Sequence, residues 1–190
     1  MRQTSGNIRR SFGAVQPGDD IIVTKWVGLE GTVRIVQERK EALLHRFPPF
    51  MVEEAAGFSR YLSVQPELAA AKKAGAAILE LTWGGVFGGL WELAEQAGVG
   101  LEINLKRIPV RQETVEICNY YDINPYQLIS GGSLLLAARD GYGMTYRLQA
   151  AGIPAAVVGK AAVGNDRVVL NGGGRRFLEP PRRDEIEKVL

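Results

Sequence analysis

A carboxylate, a hydroxyl and two adjacent glycines stand close together in Glu80-Leu81-Thr82-Trp83-Gly84-Gly85. Ala76-Ala77-Ile78-Leu79 before them is short, apolar and bounded by Gly75, which suits a strand covered on both faces. After them the apolar residues recur as Phe87, Leu90, Trp91, Ala94 and Ala97, spacing that predicts one face of a helix, closed by Gly98. Gly84 and Gly85 thus fall at a helix N-terminus, where backbone N–H groups unshielded by side chains attract anions, phosphate above all. The same residues also read as a strand-to-helix turn in which glycine is sterically required. Both readings stand at this level.

Two further strand ends are punctuated by glycine: Thr24-Lys25-Trp26-Val27-Gly28-Leu29-Glu30-Gly31 and Ser130-Gly131-Gly132. If the strands leading to Lys25 and Glu80 are neighbours, the Lys25 ammonium and the Gly84-Gly85 turn approach one phosphate from two sides; otherwise Lys25 is an ordinary surface lysine. Other chemistries are excluded more firmly. No glycine-rich turn ends in Gly-Lys-Ser/Thr, so there is no Walker phosphate loop. Gly98-Val99-Gly100 lacks the third glycine of a dinucleotide fingerprint and precedes a strand. Cys118 and His45 are the only cysteine and histidine, too few for a Cys/His zinc site or an intrachain disulfide. No metal site is predicted. Cys118 reads as a buried helical thiol, and His45 as a capping or solvent-facing residue near a helix end.

The elements that must position these residues follow from periodicity. At 190 residues, 46% hydrophobic, the chain can build one domain with a sizeable core. Residues 1–16 are polar and predicted as a flexible arm that frays or lies across something, and 17–190 as the domain. Strands are expected at Ile21–Trp26, Ala76–Leu79, Leu101–Leu105, Ser133–Ala138, Ala155–Val158, Arg167–Leu170 and Arg175–Leu178. Asn171-Gly172-Gly173-Gly174 turns the last two into a hairpin. Helices are expected from Gly28 to Phe47 (inner face Val33, Val36, Leu43, Leu44 and Phe47, interrupted by Lys40), Phe50–Leu62, Glu67–Lys73, around Val115–Tyr121, Met144–Ala151 and Asp184–Leu190. Such alternation with a late hairpin predicts an α/β (α+β) fold, helices packed on a mixed sheet. A net charge of +2 favours neither nucleic acid nor membrane, and the cluster Arg175-Arg176 with Arg182-Arg183 lacks interleaved aromatics. No run of transmembrane length and no signal-peptide pattern occur, so a cytoplasmic protein is expected.

The same stretches resemble the C-terminal domain of the AIR synthase (PurM)-like superfamily, above all its HypE-like, "AIR synthase related" branch. Pro17-Gly18-Asp19-Asp20-Ile21-Ile22-Val23-Thr24-Lys25-Trp26 with Gly28-Leu29-Glu30-Gly31-Thr32 resembles the opening of that domain. Gly84-Gly85 through Gly98-Val99-Gly100 with Ile108-Pro109-Val110-Arg111 resembles its middle, and Phe177-Leu178-Glu179-Pro180-Pro181 with Asp184-Glu185-Ile186 its tail. The resemblance implies a three-layer α/β/α domain with partial ferredoxin-like topology. In full-length members it closes over an N-terminal domain, with ATP and bridging Mg²⁺ between them. It implies cofactor-binding roles for Lys25, Glu80, Thr82, Gly84 and Gly85.

Three departures bear on function. Nothing before Pro17 is long enough to be the family's N-terminal ATP-binding domain. Leu79 precedes Glu80 where the family often has His before an acid, usually Asp, and Trp83 stands where a polar residue is common. The cysteine that ends HypE proper is missing, since the chain ends in Leu190. Two functions are compatible with this pattern. One is half of an ATP-dependent synthase or maturation-factor-like enzyme, completed by a separately encoded N-terminal domain; hydrogenase maturation belongs to this branch. The other is a non-catalytic interaction or regulatory module, or a truncated relic, that keeps the fold. Whether the chain is an enzyme, and whether it forms a homodimer, both stay open at the level of sequence.

Overall fold

Ile21, Ile22 and Val23 are fully buried, consecutive and β-branched, so the strand that carries them must be covered on both faces. In the computed structural model, which describes residues 10, 11, 14–181 and 183–190, this strand is β2 (Asp20–Thr24). It lies inside a mixed sheet of eight strands: β1 (Arg10–Ser11), β2, β3 (Ala77–Glu80), β4 (Gly100–Asn104), β5 (Leu134–Ala138), β6 (Ala155–Ala162), β7 (Arg167–Asn171) and β8 (Gly174–Phe177). The order is β1-β3-β5-β2-β6-β4-β7-β8. All neighbours are antiparallel except β4 and β7.

Side chains alternate between the two faces, as the pleat requires. Ile21, Val23, Ala77, Leu79, Leu135 and Ala137 join one cluster under α4 (Gly85–Ala97), through Val86, Phe87, Leu90, Leu93 and Ala94. Ile22, Ile78, Leu134 and Leu136 face the opposite layer, formed by α3 (Gln65–Lys73) and α6 (Gly141–Ala150). This is the expected three-layer α/β/α arrangement. A third cluster joins α1 (Leu29–Arg46), α2 (Pro49–Ala56) and α5 (Gln112–Tyr121) around Ile35, Leu43, Val52, Ile117 and Cys118.

Several expectations are corrected. β2 and β3 are not neighbours, because β5 lies between them and pairs with both. Leu44 of α1 is 40% exposed because α1 kinks at Arg39 (φ −123°, ψ 21°), so no single stripe runs its full length. The second helix stops at Ala56 and tightens into a 3₁₀ turn over Gly57–Tyr61. The C-terminal helix is likewise only a 3₁₀ turn, Glu185–Lys188. Of the predicted arm, residues 1–9, 12 and 13 lie outside the described residues, as does Arg182 of the basic cluster. Arg10 and Ser11 pair with Leu79 and Ile78.

Candidate functional site

Two serines and a threonine fasten the three glycine-punctuated strand ends to one another. Ser130 Oγ accepts from the Gly28 N–H (2.8 Å) and donates to the Leu128 carbonyl (2.8 Å). Ser133 Oγ donates to the Trp26 carbonyl (2.6 Å), and Thr24 Oγ1 accepts from the Leu134 N–H (2.9 Å). The Thr82 carbonyl accepts from the N–H groups of Ser130 (3.1 Å) and Gly85 (3.2 Å). The stretches beginning at Thr24, Glu80 and Ser130, remote in sequence, therefore meet at one end of the sheet.

Their meeting forms a cleft of about 420 Å³ lined by Glu30, Val33, Arg34, Gln37, Ser59, Leu62, Glu80, Gly131 and Gly132. α1 brings Glu30 there from its first turn, just after Gly28, whose φ of 74° starts the helix. β3 ends at Glu80 and delivers its carboxylate to the rim. At Gly131 a Cβ would meet the Glu30 carboxylate, so a larger residue there would displace that carboxylate from its place in the cleft. Burial chiefly holds the Glu30 carboxyl above the usual carboxylate range. The charges of Asp184 and Glu80 add to that effect, and Arg34 and the Gly131 N–H oppose it. Arg34 Nη1 stands 3.8 Å from Glu30 Oε1.

The Gly84-Gly85 turn does hold an anion, and that anion belongs to the chain. The Gly84 N–H donates to Asp184 Oδ2 (2.7 Å), while Asp184 Oδ1 accepts from Ile129 (3.1 Å) and Ile186 (2.9 Å). Burial pushes the Asp184 carboxyl up, and those three N–H donors pull it back down. Gly84 and Gly85 adopt φ of 79° and 62°. At Gly85 a Cβ would come within 2.6 Å of the Tyr126 carbonyl and 2.7 Å of that of Leu128. The steric reading of these glycines is therefore sufficient by itself. Trp83 turns outward, 51% exposed.

Lys25 is neither a surface lysine nor beside this turn. It is 5% exposed, and Nζ is committed to the carbonyls of Tyr61 (2.6 Å) and Ser63 (2.7 Å) and to Glu67 Oε1 (2.8 Å). Of the predicted residues, Glu80 lines the cleft, Thr82, Gly84 and Gly85 form the turn that follows it without lining the cleft, and Lys25 ties β2 to α3. Glu30, Arg34 and Asp184 escaped the sequence reading as site residues. Position offered one signal, since Glu30 sits in the first turn of a helix opened by glycine.

Residues 16–171 match the family model for "AIR synthase related protein, C-terminal domain". The chain belongs to this family. Among relatives of this AIR synthase-related domain, the carbamoyl dehydratase HypE of Rhodobacter capsulatus is 29% identical over 186 residues, which is 93% of this chain and 52% of the relative. Escherichia coli HypE, a hydrogenase maturation protein, superposes with a TM-score of 0.73 at 20% identity, covering 93% of this chain and 54% of that one. A HypE crystallised in complex with ATP superposes with a TM-score of 0.67 at 18% identity, covering 91% and 53%. The chain thus spans about half the length of the curated relatives it matches.

For a magnesium nucleotide the cleft fits in part. Mg²⁺ on a nucleotide is typically held by one or two carboxylates plus phosphate oxygens; Glu30 and Glu80 supply two carboxylates and Arg34 a cation for phosphate. No group of three or more His, Cys, Asp or Glu residues able to hold a metal ion occurs among the described residues, so these residues alone would not complete the coordination of a metal ion. Among the described residues, no helix is long and apolar enough to cross a membrane. Cys118 is buried, and burial pushes its thiol up to about 12. It lies in α5 as the buried helical thiol expected from the sequence, with little thiolate character at neutral pH.

Proposed function

We propose that this domain supplies one wall of an ATP-using site whose other wall is a separately encoded N-terminal AIR synthase-like domain, in a HypE-like setting and in the cytoplasm. The observation that carries the reading is the convergence of Glu30, Arg34, Glu80 and Gly131-Gly132 on one open cleft. The half-length match and the ATP complex of a similar fold support it. In this reading Glu80 and Glu30 approach the cation, Arg34 approaches phosphate, and Gly131-Gly132 holds Glu30 in place beside them. Thr82, Gly84 and Gly85 hold the geometry, and Lys25 acts through the β2–α3 connection rather than by contact.

The test is calorimetric titration of Mg-ATP into the chain alone and into its mixture with the portion of Rhodobacter capsulatus HypE that this chain does not match. Weak or absent heat alone, clear binding in the mixture and roughly ten- to hundredfold weaker binding for Glu80→Gln are expected, the loss of a charged contact being worth roughly 1.5–3 kcal/mol. Silence in both titrations rejects the reading. A second reading, a non-catalytic interaction module, draws on Asp184, because a carboxylate of the chain itself fills the anion position at Gly84. It predicts that silence.

A further inference from the structure

Among the described residues the sheet ends on β8, whose one strand partner there is β7. The paired residues are Asn171 with Gly174, Leu170 with Arg175, Val169 with Arg176 and Val168 with Phe177, and the Leu178 N–H donates to the Arg167 carbonyl (2.7 Å). Hydrogen-bonded and non-hydrogen-bonded pairs alternate in an antiparallel ladder. Gly174, Arg176 and Leu178 therefore direct their backbone groups toward β7, and Arg175 and Phe177 present N–H and C=O to the open side. All four β8 residues are exposed, and neither Arg175 nor Arg176 has an ion-pair partner among the described residues.

A pocket of about 420 Å³ adjoins this edge, walled by Phe87, Phe177 and Leu178 and carrying Arg176, Asn124 and Gln127, with Glu179 also lining it. Its floor is fixed: Phe87 stacks on Tyr126, the ring centroids 5.4 Å apart and the planes inclined by 18°. The Arg176 guanidinium lies 5.5 Å from the Phe87 ring centroid. Five strands separate β8 from β3 in the sheet, and this pocket shares no lining residue with the Glu80 cleft.

We propose that β8 takes up an extended acidic peptide segment of a partner protein as a ninth strand of the eight-stranded sheet. Outward backbone groups give such a strand its hydrogen bonds, and a neighbouring pocket selects a side chain. Charge selects the occupant. Arg175 and Arg176 project from opposite faces of β8, Arg175 over Phe177 and Arg176 over Phe87, and each, without an ion-pair partner among the described residues, attracts a carboxylate on its own face of an incoming strand. They oppose pairing with a second copy of β8, which would bring the same arginines close to each other.

The full chain is titrated into a fluorescein-labelled, end-blocked peptide of alternating glutamate and leucine, and into the same peptide with lysine for glutamate, followed by anisotropy. The acidic peptide is expected to bind, to weaken with added salt, and to slow amide exchange at Arg175 and Phe177; the basic peptide should not bind. Arg175→Ala keeps the outward N–H and Arg175→Pro removes it without touching a bond to β7. The proline variant should bind about three- to tenfold more weakly than the alanine variant, the worth of one backbone hydrogen bond. Arg176→Glu should bind still less. Equal binding of both peptides, or equal binding by the two Arg175 variants, overturns the proposal. So does tighter binding of an oligothymidylate than of the acidic peptide, or a concentration-dependent dimer that Arg175→Pro dissolves.

Discussion

Asp184 shows how one side chain can decide between a structural and a functional turn. It is 1% exposed, and its two oxygens satisfy three backbone donors on three separate segments: Gly84, Ile129 and Ile186. Asp184→Ala strands those donors and removes the N-cap of the last 3₁₀ turn, at an expected cost of about 2–4 kcal/mol in urea unfolding. It also frees the Gly84 N–H. Inorganic phosphate should therefore raise the melting temperature of the variant and leave the wild type unchanged; equal responses would show that the turn never competes for anions. Glu30 gives a pH signature. Its carboxyl is raised in the folded state, chiefly by burial, so the folded state holds this proton more tightly than the unfolded chain. Its contribution to stability is present below the unfolded value, about 4.3, and is lost as pH rises through the folded value. Glu30→Gln carries no such loss, so between pH 4 and pH 7 the urea midpoint of the wild type should fall relative to that of Glu30→Gln. A rise would mean that Arg34 and the Gly131 N–H outweigh burial.

Elements were legible wherever one local pattern governed them. β2, α3, the turn into α4 and the β7–β8 hairpin follow from β-branched runs, a glycine stop and a glycine turn, and the structure places them within a residue or two of the expected bounds. The inner face of α4 was rotated slightly in the sequence reading. Leu93 is buried and Trp91 only partly so, because Trp91 lies under the Arg167 guanidinium, 4.0 Å from its ring centroid. That contact joins residues far apart in sequence and leaves no local trace. The interposition of β5 between β2 and β3, and the arrival of Asp184 at Gly84, were hidden for the same reason: both are settled by long-range packing. The residues of the turn were visible, and its occupant was not. Gly85→Ala probes this element directly. It places a side chain in the left-handed region and against two carbonyl oxygens, so a loss of about 1–3 kcal/mol or more is expected in chemical denaturation. A neutral result would mean that the turn relaxes by shifting Tyr126–Leu128, and the cleft with it.

At the scale of the whole molecule the core is divided between a sheet clamped from both faces and a helical group of α1, α2 and α5 with its own cluster. β2 and β5 have their hydrogen bonds buried under helices on both sides, whereas α2 presents Phe50, 73% exposed, to solvent and closes with a 3₁₀ turn. Stability should therefore be uneven. Amides with little buried apolar cover open in local fluctuations, and those at the centre of a doubly covered sheet exchange only when the whole domain unfolds. Native-state hydrogen exchange should place Ile21–Val23 and Leu134–Leu136 at the global unfolding free energy, with the amides of Val52–Ala56 measurably below it. The cleft sits on the seam between these two parts, since Glu30 and Arg34 come from α1 while Glu80 comes from β3. If α2 exchanged at the global value, sheet and helical group would form one cooperative unit and the seam would have no freedom of its own. If α2 exchanges earlier, a partner that contacts both walls would raise protection in the helical group more than in the sheet, and the exchange profile would identify the docking face without a structure of the complex.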